Sequence, residues 1–363
     1  MRALEFYSGI GGLHLALSRS NLPIPVTVIH AFDWDQNACD VYSANFGSGI
    51  SSKTDISTLN AAYLASLKAE LWLLSPACQP YTVLNPSAKG ELDPRAKSFL
   101  HLVQNVLPEL VRLDAHPTHF LVENVGGFET SSTRDLLIST LRDLGYTTAE
   151  FLLTPLQFGI PNSRLRYYLL AKKSPLSFQD FPSDGNEALH YLPGHGSKPW
   201  IDSRSLESNI DDDSVPEIRE YLDADPVVDC RVPDKVLCKW GRLFDIVLPS
   251  SQRTCCFTRG YTQLVERAGS IVQMNENQDT TTVFDEFLDA QSANKPDAVR
   301  ILDTLQLRYF STEELLRLFC FTPPGHTFVW PPGISRKTKY RLIGNSVNVK
   351  VVQELIEYLF RER

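Results

Sequence analysis

Long apolar runs are missing from this 363-residue chain; the most continuous are of the size of Leu71–Leu74, far short of the roughly 20 residues a membrane span needs. A surplus of positive charge is missing as well. Lys and Arg number 35 against 43 Asp and Glu, a net charge of −8, so any nucleic-acid partner has to be held by local basic clusters rather than by a general field. The seven cysteines (Cys39, Cys78, Cys230, Cys238, Cys255, Cys256 and Cys320) contain no C-x-x-C. The eight histidines show no H-E-x-x-H and no cysteine partner at zinc-ligand spacing. No metal is therefore expected, and an odd cysteine count in a large chain predicts reduced thiols, as in the cytoplasm or nucleus. Met1-Arg2 runs straight into a strand-like segment, so no signal peptide is expected. Internal repeats are absent too.

What is present is ordinary globular composition, 43% hydrophobic and 21% charged. The first half alternates. Leu4–Tyr7, Val26–Phe32, Leu71–Leu74, Phe120–Glu123 and Arg166–Ala171 read as strands. Between them Gly12–Ser18, Asn37–Asn45, Lys97–Leu113 and Asp135–Leu144 read as helices. That rhythm predicts an α/β fold, a doubly wound and mostly parallel sheet covered on both faces, with ligands at the carboxyl ends of the strands. From Ser174 to Val228 the chain is rich in Pro, Ser, Asp and Gly and carries Asp211-Asp212-Asp213, which predicts loops or a loosely ordered insertion. Patterning returns at Leu237–Phe244, Thr312–Phe319 and the amphipathic Val349–Arg361. We expect one catalytic domain begun by residues 1–182, interrupted by a smaller unit over 183–306 and completed by 307–363.

Two groups of residues carry chemistry. Phe6-Tyr7-Ser8-Gly9-Ile10-Gly11-Gly12-Leu13 follows the first strand and opens a helix. Its glycines allow close backbone approach, and a helix N-terminus favours carboxylate or phosphate. His14 replaces the third glycine of the dinucleotide fingerprint, which weakens a nicotinamide reading. Asp33, ending the second strand, can accept from ribose hydroxyls, and Trp34 can pack on adenine. Together they favour an adenosine-containing cofactor over a purely structural turn. Asp55-Ile56 is a further adenine contact, or else a helix cap with a buried neighbour.

The second group follows the next strands. Ser75-Pro76-Ala77-Cys78-Gln79-Pro80 holds a cysteine between prolines beyond a buried strand, a poor place for core filler and a good one for a nucleophile. Phe120-Leu121-Val122-Glu123-Asn124 puts a carboxylate at a strand end, where desolvation makes its protonated form accessible. Asn124 is positioned to orient the loop. Arg164 and Arg166 alternate along a strand and are expected to point the same way, toward a thiol or a polarised carbonyl.

This ordered set, completed by Arg341-Leu342-Ile343-Gly344-Asn345-Ser346, resembles the cytosine-C5 methyltransferases over about 340 residues. Within them Cys256-Phe257-Thr258-Arg259-Gly260-Tyr261, Glu129–Asp135 and Gly159–Tyr167 resemble the small eukaryotic tRNA(aspartate) cytosine methyltransferases, relatives of the DNA enzymes. The resemblance implies a class I methyltransferase fold, S-adenosylmethionine as donor, S-adenosylhomocysteine as product, and cytosine 38 of the anticodon loop as acceptor. It implies Cys78, Glu123, Arg164 and Arg166 as the catalytic set. Ser8, Gly9, Ile10, Gly11, Gly12, Leu13, Asp33, Trp34, Asp55, Ile56, Ser75, Pro76, Asn345, Ser346 and Val347 would form the donor pocket. Gln79, Arg95, Asn124, Cys256, Phe257, Thr258, Arg259 and Tyr261 would meet the substrate. Lys97, Arg253, Arg336, Lys337, Lys339 and Arg341 are further candidates for phosphate contacts. A monomer binding tRNA is expected, with no membrane partner. Ala77 departs from the family's proline, which leaves the thiol less preorganised. The two alternatives are a DNA cytosine-C5 methyltransferase and a weakly active or non-catalytic tRNA-binding relative.

Overall fold

The computed structural model describes residues 1–77, 96–181, 187–194, 215–223 and 230–361. In chain order the main elements are β1 (Arg2–Phe6), α1 (Gly12–Arg19), β2 (Thr27–Asp33), α2 (Gln36–Phe46), β3 (Ser51–Lys53), α3 (Ala61–Leu67) and β4 (Leu71–Leu74). Then come α4 (Lys97–His101), α5 (Leu107–Arg112), β5 (His119–Val125), α6 (Ser132–Asp143), β6 (Tyr146–Leu153) and β7 (Arg166–Lys173). The second half holds α7 (Asp234–Trp240), β8 (Ile246–Val247), β9 (Ile271–Gln273), α8 (Thr280–Ser292) and β10 (Leu307–Tyr309), followed by α9 (Thr312–Leu318), α10 (Arg336–Gly344) and α11 (Val349–Leu359).

Seven strands form one sheet in the order β3-β2-β1-β4-β5-β7-β6. Pairing is parallel from β3 to β5, and β7 runs antiparallel to both β5 and β6. The expected doubly wound, mostly parallel sheet is therefore present. Its register explains the strand sequences. Leu71 and Leu73 enter one core layer while Trp72 and Leu74 enter the other, as a period of two requires. Both faces of β4 are covered, which is why its four residues are all apolar. Helices α1, α2 and α11 pack on one face, and α3 to α6 on the other.

Some elements differ from the sequence reading. Lys97–Leu113 is helical, but its middle, Leu102–Val106, is wound as a π-helix between α4 and α5. The expected helices at Asp135–Leu144 and Val349–Arg361 are α6 and α11 with shifted ends. Strands β3 and β6 carried no clear sequence signal: β3 is three polar residues, and β6 begins Tyr146-Thr147-Thr148. The second unit has its own three-stranded sheet, β10-β9-β8. Leu307–Tyr309, read as part of the return to the first domain, pairs antiparallel with β9 of this sheet. The apolar residues of the second unit merge with the α1/α11 layer into one core. No helix among the described residues is long and apolar enough to cross a membrane.

Candidate active site

Register brings the strand ends together. Phe6 of β1 pairs with Phe32 of β2 and Leu74 of β4, and Leu74 pairs with Val122 of β5. The residues just beyond, Tyr7 to Gly12, Asp33, Ser75 and Glu123, therefore share one sheet edge. The antiparallel strand β7 adds its amino end to that edge, because Val125 lies opposite Arg166.

The glycine turn is fixed from beneath by carboxylates. Asp33, 8% exposed, accepts from Gly9 N and Asp35 N, each at 2.8 Å. Burial holds its carboxyl above the usual aspartate range, and those two amide bonds offset only part of that rise. Glu5 was not singled out in the sequence. It lies fully buried in β1, accepting from Tyr42 Oη at 2.7 Å and from His14 N, in the first turn of α1, at 3.4 Å. Burial raises its carboxyl to about 8. The helix end that sequence reasoning offered to an anionic ligand is thus already faced by one of the protein's own acids. The available signal was a lone acid inside an apolar strand.

One polar atom of the turn is left without a partner. Ser8 Oγ is buried without a hydrogen-bond partner, and a Cβ placed on Gly9 would meet nothing within 4 Å. Trp34 beside Asp33 is 78% exposed. A ribose-bearing ligand with an aromatic base fits this set of an orphan hydroxyl, open turn, carboxylate and bare indole. Ile10 and Leu13 are buried in the core and Gly11 holds a left-handed φ of 84°, so these three shape the turn rather than face outward. Asp55 caps the short helical turn Ile56–Thr58 by accepting from Ser57 N at 2.9 Å, and Ile56 is buried. The cap alternative raised for that pair thus describes its local geometry. Thr54 N donates to Asp33 O at 2.7 Å, which holds this turn next to Asp33.

At the neighbouring strand ends, Ser75 Oγ donates to Glu123 Oε2 at 2.8 Å and Arg166 Nε lies 3.4 Å from Glu123 Oε1. Glu123 is 7% exposed. Asn124 Nδ2 reaches Pro76 O at 3.4 Å, so β5 orients the backbone one residue before Ala77. Cys78, Gln79 and Arg95 lie outside the described residues.

Arg164 differs from expectation. Strand β7 begins at Arg166, and Arg164 sits in the loop before it, 3% exposed. Its Nη1 donates to Phe257 O at 2.7 Å, and its Nη2 to Ser346 O at 2.6 Å and Gly344 O at 3.2 Å. The guanidinium is spent on the protein's own backbone and ties three distant segments together. Both arginines still converge on one sulfur: Cys256 Sγ lies 3.4 Å from Arg164 Nη1 and 3.6 Å from Arg166 Nη2. Burial pushes that thiol up, but the two guanidiniums outweigh burial and its net shift is downward.

The Cys256–Tyr261 stretch divides. Phe257 and Tyr261 are buried, their rings 5.0 Å apart edge to face, and Tyr261 Oη bridges Ser270 O and Phe310 N. Both are corrected from substrate contacts to packing residues, because no ring surface remains for a ligand. Thr258 N is bonded to Ala268 O, and Arg259 is exposed. Asn345 ends α10 and is exposed. Ser346 Oγ and Val347 Cγ2 press on Gly12, where an added Cβ would lie 3.0 and 2.7 Å from them. Among the basic candidates, Arg253 pairs with Asp245, Arg341 pairs with Asp35 and Lys339 stacks over Trp330. Arg336, Lys337 and Lys97 are exposed.

Gly344 marks where the end of α10 meets the Cys256–Tyr261 loop. A Cβ there would lie 2.3 Å from the carbonyl carbon and oxygen of Thr258. Backbone cannot yield as a flexible side chain does. Gly344→Ala should therefore cost about 1–3 kcal/mol of stability, checked by denaturant unfolding. An unchanged midpoint and slope would mean the two segments are not in firm contact.

Comparison with known proteins agrees with this arrangement. Residues 1–361 match the family described as C-5 cytosine-specific DNA methylase. The chain is 39% identical to the tRNA (cytosine(38)-C(5))-methyltransferase of Schizosaccharomyces pombe, covering 99% of this chain and 96% of that protein. It is 35% identical to the Homo sapiens protein of the same name, covering 99% of each. The crystal structure of S. pombe Dnmt2 methyltransferase superposes with a TM-score of 0.76 at 38% identity, over 99% of this chain and 98% of that one. A profile spanning nearly every residue and relatives above 30% identity over the whole length leave one conclusion: the chain belongs to the C-5 cytosine-specific DNA methylase family.

Proposed function

We propose that this protein methylates C5 of cytosine in tRNA, at position 38 of the anticodon loop, with tRNA(aspartate) as the expected acceptor and S-adenosylmethionine as donor. The observation that carries the reading is the meeting of Ser75, Glu123 and Arg166 at one sheet edge, three residues before Cys78 in the chain. The names of the two relatives supply the substrate class and the position.

The chemistry demands these residue types. C5 of cytosine is too electron-poor to attack a methyl group unaided. A thiolate from Cys78 adding to C6 makes C5 nucleophilic, and elimination of that thiolate after loss of the C5 proton restores the ring. Glu123, carrying a proton, would donate to N3 and accept from the exocyclic amine, stabilising the adduct. Arg166 would hold the base carbonyl, while Arg164 ties the surrounding backbone together. Ser8, Gly9, Asp33 and Trp34 would bind the donor, with Ser346 and Val347 closing the far side of the turn. When bound, the donor supplies a methyl group on a sulfonium. A cytosine in a loop leaves its stack at lower cost than one in a duplex, which favours an anticodon loop over duplex DNA.

The test is transfer of labelled methyl groups to three acceptors: a tRNA(aspartate) transcript, the same transcript with uridine at position 38, and duplex DNA. Label is expected on the first alone. Label on DNA with silent tRNA would replace this reading with the DNA enzyme, and no label on any acceptor would favour a non-catalytic binder.

A further inference from the structure

The rings of Phe257 and Tyr261 are the footing of a loop that starts at the candidate site. Cys256 Sγ is 3.6 Å from Arg166 Nη2, and Arg166 Nε is 3.4 Å from Glu123 Oε1. Two residues on, Thr258 N donates to Ala268 O at 2.9 Å, which closes residues 259–267 into a loop. Tyr261 Oη donates to Ser270 O at 2.8 Å and accepts from Phe310 N at 2.9 Å. Both rings press on Gly269, where a Cβ would lie 2.5 Å from Phe257 and 2.6 Å from Tyr261. The end of α10 abuts the start of the loop, since a Cβ on Gly344 would lie 2.5 Å from Arg259 N.

The tip of this loop is pinned and carries an apolar side chain. Gln263 N and Leu264 N both donate to Gly260 O, at 2.8 and 2.9 Å. Thr262 and Arg267 hold φ of +68° and +55°, a left-handed region that non-glycine residues keep only where surrounding contacts fix them. The Leu264 side chain folds against Gly260, where a Cβ would lie 2.7 Å from its Cδ1. Leu264 is nevertheless 61% exposed, the most of any large aliphatic side chain among the described residues. A lone surface leucine is ordinary. This one stands on a fixed tip between Arg259 and Arg267, both exposed and neither in an ion pair among the described residues. The loop thus offers an apolar face between two positive charges, against one acid, Glu266. That combination suits a nucleobase joined to phosphates.

We propose that Leu264 packs on the face of a base flanking the target cytosine in the RNA acceptor, with Arg259 and Arg267 on the adjoining phosphates. A cytosine drawn out of its stack bares the neighbouring base, at a cost in stacking energy. An apolar side chain set against that face offsets the loss. Phe257 and Tyr261 then serve as the pedestal of the contact, which is why their rings are buried. This inference rests on the tRNA methyltransferase reading above.

The experiment measures equilibrium binding and single-turnover methylation of three tRNA(aspartate) transcripts. One is intact, and the other two lack the base on the 5′ or on the 3′ side of position 38. On the intact transcript Leu264→Ala is expected to lower the product of affinity and transfer rate by about fivefold to tenfold, the scale of one lost apolar contact. On one of the two abasic transcripts that deficit should shrink to within about twofold, because the partner of the side chain is gone. Leu264→Met should recover most of the loss on the intact transcript. Arg267→Ala should weaken binding of all three alike and reduce the salt slope by about one. Melting temperature and donor affinity equal to wild type establish that the variants fold. A Leu264→Ala protein that matches wild type, or a deficit equal on all three transcripts, would overturn the inference and leave the methyltransferase reading intact. A wild-type protein that transfers no methyl group to the intact transcript would sink both.

Discussion

Cys78→Ala is expected to reduce methyl transfer to tRNA by at least about 10⁴-fold, the scale on which removal of a covalent nucleophile is felt. Donor affinity should stay within about twofold, since the proposed donor site is the glycine turn after β1 and Asp33 at the end of β2. The asymmetry follows from the chemistry. Without addition at C6 there is no electron-rich C5, and no positioning of donor or acceptor substitutes for it. Cys78 follows Ser75 and Pro76 in the chain, whose side chain and carbonyl are held by Glu123 and Asn124. Single-turnover methylation and calorimetric donor titration measure the two quantities. Substantial turnover in Cys78→Ala would remove the covalent mechanism. Loss of donor binding in step with activity would show instead a damaged fold.

Sequence reading reached the site because its residues sit just past strand ends, where short motifs have fixed spacing. The βα rhythm puts Asp33 and Glu123 at strand ends, and the family resemblance adds Ser8 and Ser75 to the same set. Other parts were hidden for physical reasons. Strand β6 opens with three residues of mixed polarity and is identified by its partner β7, a non-local fact. The three-stranded sheet of the second unit uses strands of two and three residues, too short to show a period. Glu5 was masked by the apolar run around it. Phe257 and Tyr261 were assigned to substrate because motif membership does not separate a residue that touches a ligand from one that packs behind it. Arg164 shows the same gap most sharply: its spacing to Arg166 suggested a shared strand face, yet one belongs to the strand and the other to the loop.

Arg164→Leu is expected to destabilise the protein by about 3–5 kcal/mol, the range for breaking a buried polar network by removing one partner. The carbonyls of Phe257, Gly344 and Ser346 would each lose a donor in a place that admits little water. Leucine is apolar and shorter, so it neither satisfies them nor fills the position over Phe319, where the guanidinium stacks at 5.0 Å. Arg164→Lys separates geometry from charge. An ammonium keeps the positive charge beside Cys256 but cannot span three carbonyls from two separate segments as a planar fork does. If Arg164 works as a clamp, Lys should recover less than half of the lost stability, and donor affinity should weaken in both variants because Ser346 and Val347 back the glycine turn at Gly12. If it works through charge alone, Lys should restore both. Chemical denaturation and donor titration of the two variants decide between them, and full rescue by lysine would overturn the clamp.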